Sequence, residues 1–337
     1  MSTWKQTHRR DVLEENWTQN ATRLWNIPLY PLGELNAIDF AMQAQGNLNE
    51  MRMRSRGTLV QIIFSTITNW VFMYSIASSV RMLYRRPSIA AGCCLLQAIS
   101  GVIYSMTVVS FALPGGPSCR QLLWVASVAL SISPICVGAT LLQKVYLVHG
   151  RRTWLVVVGT LLLLPQPLFP YYIWTSPATM MSSTGCLTRY PSYLPWLKLA
   201  MEMPINIAFS VAFIMVVYRQ YRQFGSEAWG RLVRNGIQTM CAIVLSNFFC
   251  MLCAAFELGD YLSEMFFVLD WMITSLLLVH HCKIMHTSSA ESPGTRRVNV
   301  SEEAPRPTPI MSDLAQDNGS TSSQPLFRGR KRYPMVR

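Results

Sequence analysis

An all-α, polytopic membrane protein is the fold class that this sequence predicts. Three observations carry the prediction. Seven long apolar stretches lie along the chain; 51% of its 337 residues are hydrophobic and only 14% are charged; and the apolar runs do not alternate in polarity. A spanning helix needs about 20 largely apolar residues to cross roughly 30 Å of hydrocarbon. Lipid offers the backbone no hydrogen bonds, so runs of this length and pattern are expected as helices rather than barrel strands. So few charges would leave a soluble domain short of polar surface, and the bilayer is expected to be its solvent and first partner.

The expected spans are residues 58–82, 88–113, 120–148, 153–174, 195–218, 231–256 and 262–282. Together they make a seven-transmembrane helical bundle over residues 58–285. Residues 1–57 are expected as a polar, loosely ordered extracellular tail, and residues 286–337, rich in Ser, Thr, Pro and acidic residues, as a disordered cytoplasmic tail. Within the spans Lys198 and Glu202 mark the start of the fifth, and Glu264 and Asp270 lie in the seventh.

A formal charge of +12 could suggest nucleic acid, but the basic residues fall in short clusters beside the spans. There they report topology instead, and no nucleic-acid partner is expected. One set of loops holds Arg81, Arg85, Arg86, Lys144, Arg151, Arg152, Arg219, Arg222, Arg231 and Arg234, with Lys283 after the last span; the other holds Arg120, Arg189 and Lys198. The richer set is cytoplasmic on the positive-inside rule, which puts the N-terminus outside and the C-terminus in the cytoplasm. Arg52, Arg54 and Arg56 at the outer end of the first span oppose that assignment. The opening MSTWKQTHRR lacks an apolar core, so the first span is expected to act as the insertion signal. Sequons begin at Asn16 and Asn20 in one tail and at Asn299 and Asn318 in the other.

Most of the nine cysteines lie within apolar spans and are expected to pack as small apolar residues. Cys119 and Cys186 differ, since both fall on the expected outer side, where an oxidising compartment favours a disulfide. That bridge would clamp the second outer loop over the bundle. Cys282, beside His280, His281, Lys283 and His286, reads as a membrane-edge anchor open to palmitoylation.

Seven spans, an external N-terminus, the Cys119 to Cys186 pair and a basic tail rich in Ser and Thr together resemble the architecture of rhodopsin-like G-protein-coupled receptors. Where that family carries an acidic-Arg-Tyr triplet, this chain has Gln143-Lys144-Val145, and where it carries Asn-Pro-x-x-Tyr, the chain has Asp270-Trp271-Met272-Ile273. The helix-two aspartate and the helix-six Trp-x-Pro are replaced as well. VYLVHGRRTW and the Ser/Thr/Pro-rich tail are similar to seven-helix membrane proteins of filamentous fungi. The resemblance implies a sensor of a small extracellular ligand at the plasma membrane, with a cytosolic G protein as partner. The cytoplasmic coupling surface is then Lys144, Arg151, Arg152, Arg222, Arg231 and Arg234, residues that can equally anchor the protein to anionic lipid.

Asp270 is the most informative polar residue, because a charge in mid-membrane costs at least about 2.5–3.5 kcal/mol and needs partners. Asn69, Gln97 and Asn247 are the expected ones. Two readings stand: a polar knot that fixes packing, or a site that binds an ion or relays activation. Glu202 and Lys198 share a helix face four residues apart and can pair; alternatively Glu202, Asn206, Glu257 and Glu264 ring an outer ligand mouth lined by Tyr171, Tyr172, Trp174, Trp196, Phe266 and Phe267.

The runner-up function is a small-solute or proton-coupled transporter. Pro165-Gln166-Pro167 resembles the Pro-Gln pair of PQ-loop carriers, although no second Pro-Gln occurs. No enzyme is expected, since all five histidines lie in tails, loops or span ends and cannot form an intramembrane zinc centre. No lysine lies within the seventh span to hold a retinal. No cofactor is expected.

Overall fold

The structure, a computed structural model, describes residues 21–290 apart from 25–26, 45, 86, 149–152, 183–184, 192, 225–226 and 259–262. Among these the chain is mostly helical. Five helical stretches are long and apolar enough to cross a membrane: Leu48–Arg85, Ile89–Phe111, Cys119–Gln143, Val156–Thr175 and Met265–Ile284. A shorter apolar one covers Cys241–Ala255. This is the composition of an all-α integral membrane protein.

Before the bundle, two residue pairs, β1 (Arg23–Leu24) and β2 (Ile27–Pro28), join antiparallel, and a 3-10 turn follows at Pro31–Glu34. Helix α1 (Ala37–Met42) starts at Asn36, whose side chain accepts a hydrogen bond from the Asp39 N–H at 2.7 Å. This segment was expected as a loose tail. Instead Ala37 and Phe40 are buried against Val108, Phe111, Leu122 and Met180. The apolar run is too short for a hydropathy window, so the packing shows only in three dimensions.

Helix α2 (Leu48–Arg85) begins well before residue 58, because its first turns are polar but regular. Asn47 accepts from the Glu50 N–H at 3.3 Å, and Glu50 pairs with Arg54 one turn on at 2.5 Å. Arg54 also donates to the Phe40 carbonyl at 2.7 Å and stacks on the Phe40 ring. One of the three arginines that oppose the charge rule is therefore held by the N-terminal segment.

Helix α3 (Ile89–Phe111) is capped by Ser88, which accepts from the Ala91 N–H at 3.2 Å. Helix α4 (Cys119–Val148) crosses the centre of the bundle. The fourth expected helix is broken into α5 (Thr153–Leu163) and α6 (Leu168–Thr175). Pro165 and Pro167 lie at the break, where neither can donate a helical hydrogen bond. A hairpin follows, β3 (Ala178–Met181) with β4 (Gly185–Thr188), in which Met180 faces Cys186. Helices α7 (Leu194–Phe224), α8 (Glu227–Ala255) and α9 (Met265–Ala290) complete the chain described.

Sequential helices pack on one another, α4 packs on α7, and α9 returns to α2, so the bundle closes. Gly101 on α3 leaves room for the Phe72 ring of α2, a close approach that small residues permit between membrane helices. Large apolar side chains such as Trp70, Leu161, Leu168, Leu245 and Phe249 are exposed on helix surfaces. That is the disposition expected of faces turned to lipid.

Candidate functional site: two joined cavities

The end of the bundle nearest the hairpin is built from three tethers. Cys119 and Cys186 form a disulfide that links α4 to β4 across a separation of 67 residues. Gln61 of α2 donates to the Cys186 carbonyl at 3.0 Å and accepts from its N–H at 3.5 Å. The N-terminal segment adds a second layer: the Cys119 N–H donates to the Leu35 carbonyl, and Gly33 lies so close to the Ala178 carbonyl that a Cβ would stand 2.5 Å from it. Arg120 is 3% exposed and pairs with Glu34 at 2.5 Å.

Beneath this roof is a cleft with about 730 Å³ of empty space, counting the part open to solvent. Tyr104, Leu123, Leu130, Phe169 and Phe267 supply most of its character, with Thr188 and Tyr190 from the roof and Glu264 at the start of α9. The wall is dominated by apolar and aromatic groups, as in most small-molecule sites.

A second, smaller cavity, with about 360 Å³ of empty space counted the same way, adjoins it, and Leu130 and Phe267 line both. Its wall carries the buried charges. The Lys198 ammonium lies 2.9 Å from Glu202, one helical turn on along α7. Asn247 of α8 donates to Glu202 at 2.7 Å and to Asp270 of α9 at 3.1 Å; Thr274 donates to Asp270 at 3.5 Å. Lys198, Glu202, Asn247 and Asp270 are 4%, 2%, 5% and 7% exposed. The ammonium also sits 4.5 Å from the centre of the Phe169 ring and 5.5 Å from that of Phe267. A cation over an aromatic face is attracted by the ring quadrupole, more so when desolvated. Two carboxylates and one ammonium thus tie three helices together through one amide, in surroundings where Coulomb forces are weakly screened.

The expected polar cluster is realised in part. Asn247 and Asp270 are bonded directly, and Gln97 donates to Ser133 at 2.7 Å, with Ser133 lining the same cavity. Asn69 on α2 has a buried Oδ1 with no hydrogen-bond partner, and no bond joins it to the others among the described residues.

The outer mouth of four polar residues does not form as a ring. Glu202 and Asn206 line the polar cavity, because α7 turns that face toward α8 and α9. Glu264 lies in the cleft wall, and Glu257 is half-buried in the turn after α8 at φ 52°. Of the aromatic residues expected around the mouth, Phe267 lines the cleft, whereas Tyr171 and Trp196 are exposed on the outside of the bundle. Trp174 donates to Ser127 at 2.9 Å.

Cys282 is 5% exposed with its sulfur 3.7 Å from that of Cys94, so it faces the interior rather than an acyl chain. The coupling surface lies outside what the structure describes: Arg151 and Arg152 entirely, and Lys144, Arg222, Arg231 and Arg234 as to their side chains.

Sequence reasoning missed Gln61, Tyr104, Thr188 and Leu130 as cleft residues, and the union of Lys198 and Glu202 with Asp270. The ionisable residues Lys198, Glu202 and Asp270 inside apolar spans were the signal for the union. Among the described residues, no three His, Cys, Asp or Glu side chains converge as metal ligands. No protein-family model matches the chain, and no curated protein matches it.

Proposed function

We propose that the protein is a receptor-like seven-helix protein of the plasma membrane that takes a small ligand from outside into the roofed cleft and signals to a cytosolic partner of the G-protein class. The observation that carries this reading is the sharing of Leu130 and Phe267 between the cleft and the charged cavity. A ligand pressing on Phe267 moves a ring that stands over the Lys198 ammonium. The Lys198–Glu202–Asn247–Asp270 connection then carries the shift into α7, α8 and α9 together. A ligand can move such an equilibrium only by its difference in affinity for the two arrangements, and contact with a shared wall residue supplies that difference.

Seven spans are supported by adding α7 and α8 to the five helical stretches above, since at 31 and 29 residues each exceeds the roughly 20 that a crossing needs. The orientation rests on the basic loops; of the arginines that oppose it, Arg54 is tied to Glu50 and Phe40, while Arg52 and Arg56 still count against it. The coupling surface in this reading is Lys144, Arg151, Arg152, Arg222, Arg231 and Arg234.

A transporter is the second reading, favoured by the same acid-lined cavity. Pulldown of cytosolic proteins with wild type and Lys144→Ala tests coupling. A heterotrimeric G protein is expected with wild type and is expected to fall severalfold with the variant. No G protein with either form overturns coupling.

A further inference from the structure

We infer that the cleft takes a neutral, largely hydrocarbon small molecule with a single hydrogen-bonding end, met by the hydroxyls of Tyr104 and Thr188. The inference rests on the ligand-binding reading of the cleft and names the chemical class that its wall admits.

The polar groups of the wall decide the matter one by one. Gln61 spends both ends of its amide on the backbone of Cys186. The Ser127 hydroxyl donates to the Trp124 carbonyl at 2.8 Å and accepts from the Trp174 indole at 2.9 Å. Cys186 is in the disulfide. Tyr190 and Glu264 are engaged by other groups of the protein. Tyr104 and Thr188 remain, and neither side chain makes a hydrogen bond among the described residues.

A polar ligand such as a peptide or sugar carries many donors and acceptors, and each one left unpaired in an apolar wall costs its desolvation. A wall with two uncommitted hydroxyls rejects such molecules. Glu264, the acidic residue of this wall, already has a partner in the protein, with which a cationic ligand would have to compete. The rest of the lining, from Phe64, Val108, Leu122 and Leu123 to Met265 and Val268, matches a hydrocarbon body.

The test uses the full chain in lipid nanodiscs and two photoreactive probes of equal length, a primary dodecanol and a dodecylammonium, each with a mid-chain diazirine. The dodecanol is expected to label peptides of α4 and α9 that line the cleft, saturably and in competition with unlabelled dodecanol. Ala126→Trp, which fills the cleft, is expected to abolish that labelling. Tyr104→Phe with Thr188→Val is expected to raise the half-saturating concentration about 5–10-fold, the loss of one or two neutral hydrogen bonds. Stronger labelling of the same peptides by the ammonium overturns the inference in favour of a cation site. Labelling that is non-saturable in wild type, or unchanged in Ala126→Trp, overturns it as partition into lipid. Because no cytosolic partner enters the assay, saturable labelling without G-protein recruitment would uphold the ligand class and sink the receptor reading, and recruitment without labelling would do the reverse.

Discussion

Glu202→Leu is expected to destabilise the folded bundle by about 3–5 kcal/mol, the cost of leaving one partner of a buried ion pair alone. The Lys198 side chain is 5% exposed and the carboxylate 2.9 Å away is its ion-pair partner. Asp270 is held by Asn247 and Thr274 and offsets only part of that loss. The double variant Lys198→Met/Glu202→Leu is expected to recover most of the loss, since apolar residues of similar volume commonly replace buried pairs at little cost. Thermal and denaturant unfolding in micelles measures both. A single variant within about 1 kcal/mol of wild type would show a solvated, weak pair of the surface kind and would remove the network from the account.

Cys119→Ser is expected to cost about 2–4 kcal/mol, the range for a native disulfide that closes a long loop. The bridge spans 67 residues that include nearly the whole of α4, the broken α5–α6 passage and strand β3. Gln61, Gly33 and Leu35 would still hold the roof, so the expected loss is stability and ligand affinity rather than the bundle itself. Reductant should lower the midpoint of wild-type unfolding and leave Cys119→Ser unmoved. An equal response in both forms would show that the bridge does not stabilise the roof.

The long apolar helices were the most legible part of the chain, because hydrocarbon thickness imposes a length and a composition that one sequence displays. Features that depend on contact between distant segments were not. Lys198 and Glu202 are visible as an i, i+4 pair, but their bond to Asp270 passes through Asn247 on another helix, and no local spacing encodes it. Arg120 looked like a topology marker in a loop, yet its partner is Glu34 in a segment expected to be loose. The paired prolines at Pro165 and Pro167 were read as a carrier-like motif, and the structure uses them as a helix break. The Cys119–Cys186 bridge, by contrast, followed from position, because both thiols fall at the same expected end of the bundle, where an oxidising compartment would favour their pairing.

Linkage between the cleft and the cytoplasmic face is the central claim, and guanine-nucleotide exchange tests it most directly. Wild type and Asp270→Asn, reconstituted in nanodiscs with a panel of heterotrimeric G proteins, are compared with empty discs. Exchange above the empty-disc rate with wild type, changed severalfold by Asp270→Asn, is the result expected if Asn247 and Asp270 couple the helices. Exchange at the empty-disc rate for both, with solute uptake into proteoliposomes that depends on Asp270, would contradict the account and make the protein a carrier.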